Sequence, residues 1–416
     1  MSLFLTTVIF FVYIQHYIHC KPYIDPQVDW TLEERIAGHG YPVQTYKIIT
    51  EDGYVLSLYH ISNDTTPNPE HYKGKSPVLL VHGMGGSPHN FVVLGARRAL
   101  PYYFYDRGYD VWLFSARGSE GSFPERHVKY DWDQDKAYWK YSLHEIAIYD
   151  LPACIDFILI HTSREKVALI GHSAAGNEFF AMFSERPEYN AKVTVAVSWA
   201  SAPILKRSDY PLALLFSTLV DVWKGLNNLL GLEEFVPITQ TFKPVIRLAC
   251  ADSEFRKICI LVTAVIGSHT SVIQHPEDIQ VIASNLPRLS SRQIYHFMDN
   301  VNNGSFRKYD YGPKKNLKTY GQLYPPHYNI AAAKVPTAFF LGRRDSIIQL
   351  EDIYEAVTNI PNTVKIHVIP FEKFTHVDYI FGRNATEMVY EPTYQLVRDI
   401  DNGVVFLPIR PPFVHK

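Results

Sequence analysis

The chain has 416 residues, and its 40 Lys and Arg against 42 Asp and Glu leave a formal charge of −2. Hydrophobic residues make up 47% of the sequence, which excludes a disordered chain, because such chains are poor in apolar residues and strongly charged. The even charge balance lacks the basic surplus of a nucleic-acid binder, so we expect no nucleic-acid partner. The length suits two or three domains, or one large α/β domain with an insertion.

The first twenty residues differ from the rest of the chain. Residues 3–13 are uncharged and rich in Phe and Ile, and the polar stretch after them ends at Cys20. A short apolar run at the N-terminus predicts a secretory signal peptide over residues 1–20, although no Lys or Arg precedes it. An uncleaved membrane anchor is the alternative, but a spanning helix needs about 20 mostly apolar residues, and no later segment is that long.

Cysteine usage agrees with export. Cys250 and Cys259 lie nine positions apart, close enough to form a local disulfide in an oxidising compartment. Cys154 has apolar neighbours and is expected to be a buried free thiol. Three Asn-x-Ser/Thr sequons are candidate glycosylation sites: Asn63, Asn303 and Asn384. Chance occurrence is the alternative for each sequon.

Short apolar runs recur along the chain, most of them followed by a glycine-containing turn or a helical stretch. They cover residues 78–81, 109–114, 167–170, 193–199, 335–341 and 364–369. Their apolar residues are continuous rather than alternating, and helical segments such as residues 142–160 separate them. This pattern predicts a mostly parallel sheet covered on both faces, which is an α/β domain.

The strand pattern lapses between about residues 204 and 333, where Leu214, Leu215 and Leu219 follow helical spacing. We interpret this interval as a helical cap inserted between two strands of one domain. An ordinary second domain is the alternative. The predicted organisation is a signal peptide (residues 1–20), a first part of the core (21–204), a cap or lid insertion (205–332) and a second part of the core (333–416).

Ser173 has the setting of a catalytic nucleophile. It stands in Gly171-His172-Ser173-Ala174-Ala175, between a buried strand and a helix-like run. This context predicts a nucleophile elbow, a sharp strained turn that exposes the serine hydroxyl. The motif is Gly-x-Ser-x-Gly, whereas here its last position is Ala175 and the glycine is displaced to Gly176.

A nucleophilic serine needs a base, and the base needs a carboxylate that orients it. In the α/β-hydrolase order the acid and then the histidine follow the serine, each just beyond a late strand. Asp345 and His376 occupy these places. The other candidates are His82, His172 and His367 for the base, and Asp352 and Asp378 for the acid.

The oxyanion that forms during acyl transfer needs two N–H donors. We expect them from the backbone of Ala174, directly after the nucleophile, and of Met84, in the glycine-rich loop at residues 82–86. A phosphate-binding role for this loop is disfavoured because no Gly-Lys-Ser/Thr follows it. No His-Glu-x-x-His or Cys-x-x-Cys motif occurs, so we expect neither a metal nor a cofactor.

Over nearly all of the mature chain, the sequence resembles the acid lipase family, which comprises the gastric and lysosomal lipases and their insect relatives. The resembling stretches are residues 40–42, 50–54, 108–112, 149–153, 155–158, 309–312 and 328–329, together with Cys250 and Cys259. The resemblance implies an α/β-hydrolase core with a cap and lid, and hydrolysis of acylglycerols or sterol esters. It also implies a triad of Ser173, Asp345 and His376, oxyanion donors at Met84 and Ala174, and a disulfide between Cys250 and Cys259.

The chain departs from the family pattern at three places. Family members usually have Gln directly after the serine and Gly next but one, where this chain has Ala174 and Ala175. They usually have a Gly pair before the acid, where this chain has Arg343 and Arg344. The loop after Arg117-Gly118 also differs, and reads Ser119-Glu120-Gly121.

These features predict a secreted lipase that works by acyl transfer on a lipid ester at an oil-water or membrane interface, without a stable transmembrane anchor. A lysosomal destination is the alternative to an extracellular one. Two other classes of protein stay open: a carboxylesterase for small soluble esters, and a non-catalytic lipid carrier that kept the fold. The departures at Ala174, Ala175 and Arg343-Arg344 motivate the carrier hypothesis.

Overall fold

The computed structural model describes residues 24–63, 74–119, 121, 123–235, 248–251, 259, 278–285 and 288–409. The predicted signal peptide, residues 1–20, lies outside this part of the chain. Among the described residues, no helix is both long and apolar enough to cross a membrane.

One eight-stranded sheet forms the centre of the protein. Its strands are β1 (Gln44–Ile49), β2 (Val55–Ile61), β3 (Pro77–Val81), β4 (Asp110–Phe114), β5 (Val167–His172), β6 (Val193–Trp199), β7 (Thr337–Leu341) and β8 (Thr363–Val368). Their order across the sheet is β1-β2-β4-β3-β5-β6-β7-β8. Strand β2 pairs antiparallel with β1 and β4, and every other neighbouring pair is parallel. The predicted, mostly parallel sheet is confirmed.

Strands β1 and β2 were not predicted, because polar residues interrupt their apolar pattern. In β2, His60 is fully buried, and its Nε2 lies 2.5 Å from a carboxylate oxygen of Asp110. The His60 ring also stacks on Trp112 at 3.8 Å between ring centroids. A polar residue can occupy a central strand when such partners satisfy it.

The parallel strands are apolar on both faces because helices cover both faces of the sheet. In β3, Leu79 and Val81 belong to one hydrophobic core, and Val78 and Leu80 belong to another on the opposite face. This alternation follows from the two-residue period of a strand.

Helices connect and cover these strands. In chain order they are α1 (Leu32–Gly38), α2 (His89–Val92), α3 (Leu100–Tyr105), α4 (Leu143–Glu145), α5 (Leu151–Thr162), α6 (Ala174–Glu185), α7 (Pro211–Thr218), α8 (Val220–Leu230), α9 (Asp278–Ser284), α10 (Ser291–Asn303), α11 (Pro313–Tyr320), α12 (Leu350–Val357), α13 (Asp378–Phe381) and α14 (Glu391–Asp401). The short π-helix Ile146–Asp150 joins α4 to α5. The chain is therefore helical from Leu143 to Thr162, which agrees with the helix predicted over residues 142–160.

Between β6 and β7 the described residues form helices α7 to α11 and loops, without a strand of the sheet. This agrees with the helical insertion expected from the sequence. Val220, Tyr295, Met298 and Tyr309 form a small apolar cluster of their own there. The limits at residues 205 and 332 remain a prediction.

The cysteines of the described chain take two forms. Cys250 and Cys259 are joined by a disulfide bond within the insertion. Cys154 is a buried free cysteine in the core, and burial raises the pKa of its thiol well above the usual value.

Candidate active site

Ser173 lies in the sharp turn between β5 and α6. Its φ of 58° and ψ of −124° are unusual for a residue other than glycine. Strained backbone conformations of this kind cluster at functional sites. The Ser173 N–H donates to the Trp199 carbonyl oxygen at 2.8 Å, which fixes the turn to the end of β6. This geometry presents the hydroxyl at the carboxyl edge of the parallel strands, as in a nucleophile elbow.

The displaced glycine of the motif has a packing explanation. A Cβ added to Gly171 would lie 2.8 Å from the Cβ of Ala175, so the missing side chain at Gly171 makes room for that methyl group. A Cβ added to Gly176 would lie only 2.4 Å from Ser201 Oγ. The close approach of helix and sheet therefore requires glycine at position 176, while Ala175 is accommodated and fully buried.

The structure brings Ser173, His376 and Asp345 together. His376 Nε2 lies 2.8 Å from Ser173 Oγ, and His376 Nδ1 lies 2.9 Å from Asp345 Oδ2. Only 5% of the His376 surface and 2% of the Asp345 surface are exposed. With Nδ1–H donating to the carboxylate, Nε2 carries the lone pair that accepts the serine proton, which is the tautomer a general base requires.

The second oxygen of Asp345 is fixed by its own loop. Asp345 Oδ1 accepts hydrogen bonds from the backbone N–H groups of Ile347 at 2.9 Å and Ile348 at 3.1 Å. These bonds leave Oδ2 for His376.

The loops that carry the acid and the base are tied to each other. The Arg344 N–H donates to the Phe374 carbonyl oxygen at 3.0 Å. A Cβ added to Gly342 would lie 2.6 Å from the same oxygen, so the loops touch through their backbones. The side chains of Arg343 and Arg344 are exposed in this turn and do not enter the triad.

His172 supports the base loop and does not bond Ser173. Its Nε2–H donates to the carbonyl oxygen of His376 at 2.7 Å. Burial, together with the nearby His376, lowers the pKa of His172 to about 3, so the ring stays neutral and keeps this donor role.

The two remaining candidate bases have structural partners. His82 Nδ1–H donates to the Gly83 carbonyl oxygen at 2.9 Å, and its Nε2 accepts from the Ala116 N–H at 3.2 Å. Burial lowers the pKa of His82 to about 4. His367 lies within β8 and donates from Nε2 to the Met388 carbonyl oxygen at 3.1 Å.

The two candidate acids other than Asp345 do not bond the His376 ring. Asp352 accepts from the Arg207 guanidinium at 2.6 Å and from the Arg207 N–H at 3.0 Å. Asp378 Oδ2 accepts both the N–H and the hydroxyl of Thr375, at 2.8 and 2.9 Å.

The two expected oxyanion donors flank the nucleophile. Ala174 is the first residue of α6, where a backbone N–H has no carbonyl partner within its own helix. Met84 follows Gly83, at which an added Cβ would lie 2.8 Å from the Ser173 Cβ. The loop after β3 thus passes directly beside the serine, while the donor roles themselves remain a prediction.

An ion-pair network around the buried Arg117 was not predicted from the sequence. Arg117 Nε donates to Asp150 Oδ1 at 2.8 Å, and Arg117 Nη1 donates to Asp52 Oδ2 at 2.6 Å. The guanidinium also lies 3.8 Å from the centre of the Tyr54 ring. Asp52, Tyr54 and Asp150 all fall in stretches that carry the family resemblance, which was the available signal. Glu120 of the neighbouring loop lies outside the described residues.

No group of three or more His, Cys, Asp and Glu side chains suited to hold a metal ion occurs in the described part of the chain.

Comparison with known proteins gives the family. The model of the family described as a partial alpha/beta-hydrolase lipase region matches residues 32–95, and the model of the alpha/beta hydrolase fold matches residues 76–233. Lipase 3 of Drosophila melanogaster is 31% identical over 86% of this chain and 90% of its own length. Human lipase member M is 30% identical over 92% of this chain and 88% of its own length. Bovine gastric triacylglycerol lipase is 28% identical over 90% of this chain and 93% of its own length. The chain therefore belongs to the acid lipase family of α/β-hydrolases.

Proposed function

We propose that the protein is a secreted lipase that hydrolyses carboxylic ester bonds of acylglycerols or sterol esters with Ser173 as its nucleophile. The observation that carries the proposal is the hydrogen-bonded series from Ser173 Oγ through His376 to Asp345. It occurs at the carboxyl edge of an α/β-hydrolase sheet, in a chain whose relatives are named lipases.

The reaction begins when Ser173 Oγ attacks the ester carbonyl carbon and His376 Nε2 takes the hydroxyl proton. Asp345 Oδ2 holds the Nδ1–H and stabilises the imidazolium that forms. The backbone N–H groups of Met84 and Ala174 would donate to the oxyanion of the tetrahedral intermediate.

Collapse of this intermediate expels the alcohol, which takes the proton from His376 Nε2, and leaves an acyl-enzyme on Ser173. Water then attacks the acyl carbon, His376 accepts a proton from it, and the carboxylic acid departs as Ser173 regains its proton.

Covalent labelling tests the nucleophile. A fluorophosphonate probe should label the wild-type protein at Ser173, and Ser173→Ala should abolish both labelling and hydrolysis of long-chain ester emulsions. Circular dichroism of the variant should match the wild type, because the hydroxyl is at the edge of the site. Retained hydrolysis by a folded Ser173→Ala protein would refute the assignment, and absence of labelling in the wild type would favour the non-catalytic carrier.

An apolar stripe on helix α8 supports a lipid interface as the place of action. Successive residues of the stripe are one or three positions apart and between 39% and 81% exposed: Leu219, which caps the start of the helix, and Val222, Trp223, Leu226, Leu229 and Leu230. The opposite side of the helix faces the protein, where Val220 is buried and Lys224 bonds the Asp299 carboxylate. A helix that turns its leucines outward and its lysine inward suits an apolar surface rather than water.

A substitution in the apolar stripe can also distinguish a lipase from an esterase that acts on soluble substrates. Leu229 is 81% exposed, and transferring a leucine side chain from water into lipid is worth about 2 kcal/mol, or about 30-fold in binding. We expect Leu229→Glu to bind phosphatidylcholine vesicles at least about 30-fold more weakly, while hydrolysis of a soluble short-chain ester stays within twofold.

Ile160→Glu is the matched control, since Ile160 is 79% exposed on α5, away from the insertion. It should leave vesicle binding and emulsion hydrolysis unchanged. Equal effects of the two variants would remove the support for an interfacial role of α8, and a wild type without preference for emulsions would favour the soluble carboxylesterase.

Secretion rests on the N-terminal run and on the Cys250–Cys259 disulfide, a bond typical of oxidising compartments. Asn63, Asn303 and Asn384 are exposed, so their sequons suit glycosylation in the same route. Mass spectrometry of the protein expressed in a secretory host would test both, through the first residue of the mature chain and the occupancy of each sequon.

A further inference from the structure

Asp378 is a buried carboxylate close to the base that the proposed mechanism does not use. Its residue is fully buried. Oδ2 accepts from the Thr375 N–H at 2.8 Å and from the Thr375 hydroxyl at 2.9 Å. Oδ1 is buried and has no hydrogen-bond partner among the residues that the structure describes. Because Thr375 directly precedes His376, Asp378 fixes the residue by which the chain enters the base.

The peptide by which the chain leaves His376 is held as well. The His376 carbonyl oxygen accepts from His172 Nε2–H at 2.7 Å. The main chain of the base is therefore clamped on both sides by side chains outside the triad. Since the imidazole must reach both Ser173 and Asp345, the orientation of its ring depends on this clamp.

The Asp378 carboxylate is ionised under neutral assay conditions. Burial raises its pKa to about 6, and repulsion by Asp345 contributes to the shift. At neutral pH Oδ2 therefore accepts both Thr375 donors as a carboxylate oxygen.

We propose that Asp378 is a positioning residue for the base: its carboxylate sets the main chain at His376 through Thr375. The inference rests on the proposed function, since it takes His376 as the base.

The test compares substitutions at two neighbouring positions with a soluble p-nitrophenyl butyrate substrate. Asp378→Ala removes both hydrogen bonds to Thr375. We expect kcat to fall between about tenfold and a hundredfold, as for a displaced catalytic group, with KM within twofold. Asp378→Asn keeps an oxygen that can accept the same two bonds, so its kcat should stay near that of the wild type.

Thr375→Val is the matched variant, because it removes the hydroxyl donor and leaves the Asp378 carboxylate in place. It should lower kcat with KM within twofold, and Thr375→Ser should restore kcat. A purely structural role would lower the free energy of unfolding of these variants and leave kcat of the folded protein unchanged.

The outcomes are separable. Wild-type kcat in folded Asp378→Ala would overturn the inference, and so would an equal loss of kcat in Asp378→Ala and Asp378→Asn. If Asp378→Ala does not fold, equal kcat values in Thr375→Val and Thr375→Ser would overturn the positioning role. A wild type that neither hydrolyses esters nor reacts with a fluorophosphonate would refute the proposed function itself.

Discussion

Replacing Asp345 by Asn should reverse the hydrogen-bond polarity of the base. In the wild type, Oδ1 of Asp345 accepts two backbone N–H groups, those of Ile347 and Ile348, and Oδ2 accepts His376 Nδ1–H. An asparagine must turn its carbonyl oxygen toward the two backbone donors. Its NH₂ group then faces His376 Nδ1, which can only accept. The proton of the neutral imidazole is therefore forced onto Nε2, where it blocks acceptance of the serine proton.

We expect kcat of Asp345→Asn to fall about 10⁴-fold, which corresponds to about 5.4 kcal/mol in the activation free energy. Hydrolysis of p-nitrophenyl butyrate measures this, and KM should stay within twofold because substrate contacts are unchanged. Asp352→Asn is the control, since Asp352 is an equally buried carboxylate that bonds Arg207 instead of the base. A loss of less than about tenfold in Asp345→Asn, or an equal loss in the control, would refute the tautomer argument.

Much of the site could be predicted because the sequence patterns that indicate it are short and continuous along the chain. A buried apolar strand, a small-residue turn and a helix follow one another around Ser173, and the turn geometry is a property of those few residues. Asp345 and His376 each follow a strand of a parallel sheet, and the carboxyl ends of such strands meet at one edge. Order along the chain is then sufficient to place them near the serine.

The roles of the other candidate histidines depend on contacts that span the chain. His172 is next to Ser173 in sequence, yet its ring donates to a carbonyl 204 positions away, whereas His376, 203 positions from the serine, bonds its hydroxyl. The role of Gly176 likewise depends on Ser201 beyond the next strand. Contacts between distant segments carry no mark in a single sequence, which is why the bond from His172 to His376 escaped prediction.

Two further predictions concern stability. Gly176→Ala should destabilise the fold by about 1–3 kcal/mol, because its Cβ would lie 2.4 Å from Ser201 Oγ and 2.8 Å from Ser198 Oγ. Gly225→Ala, within α8 and without an atom within 4 Å of its added Cβ, should instead stabilise by about 0.5–1 kcal/mol in urea unfolding, and similar effects of the two would contradict the packing argument. Asp378 has a pKa of about 6 in the folded protein against an ordinary 3.8, a difference of 6 − 3.8 = 2.2. Because the folded state binds this proton more tightly, the group's contribution is fully present below pH 3.8 and is lost as the pH rises through 6. The unfolding free energy of Asp378→Asn relative to the wild type should therefore rise by up to about 3 kcal/mol between pH 4 and pH 7. A constant difference across that range would show that Asp378 titrates alike in the folded and unfolded chains.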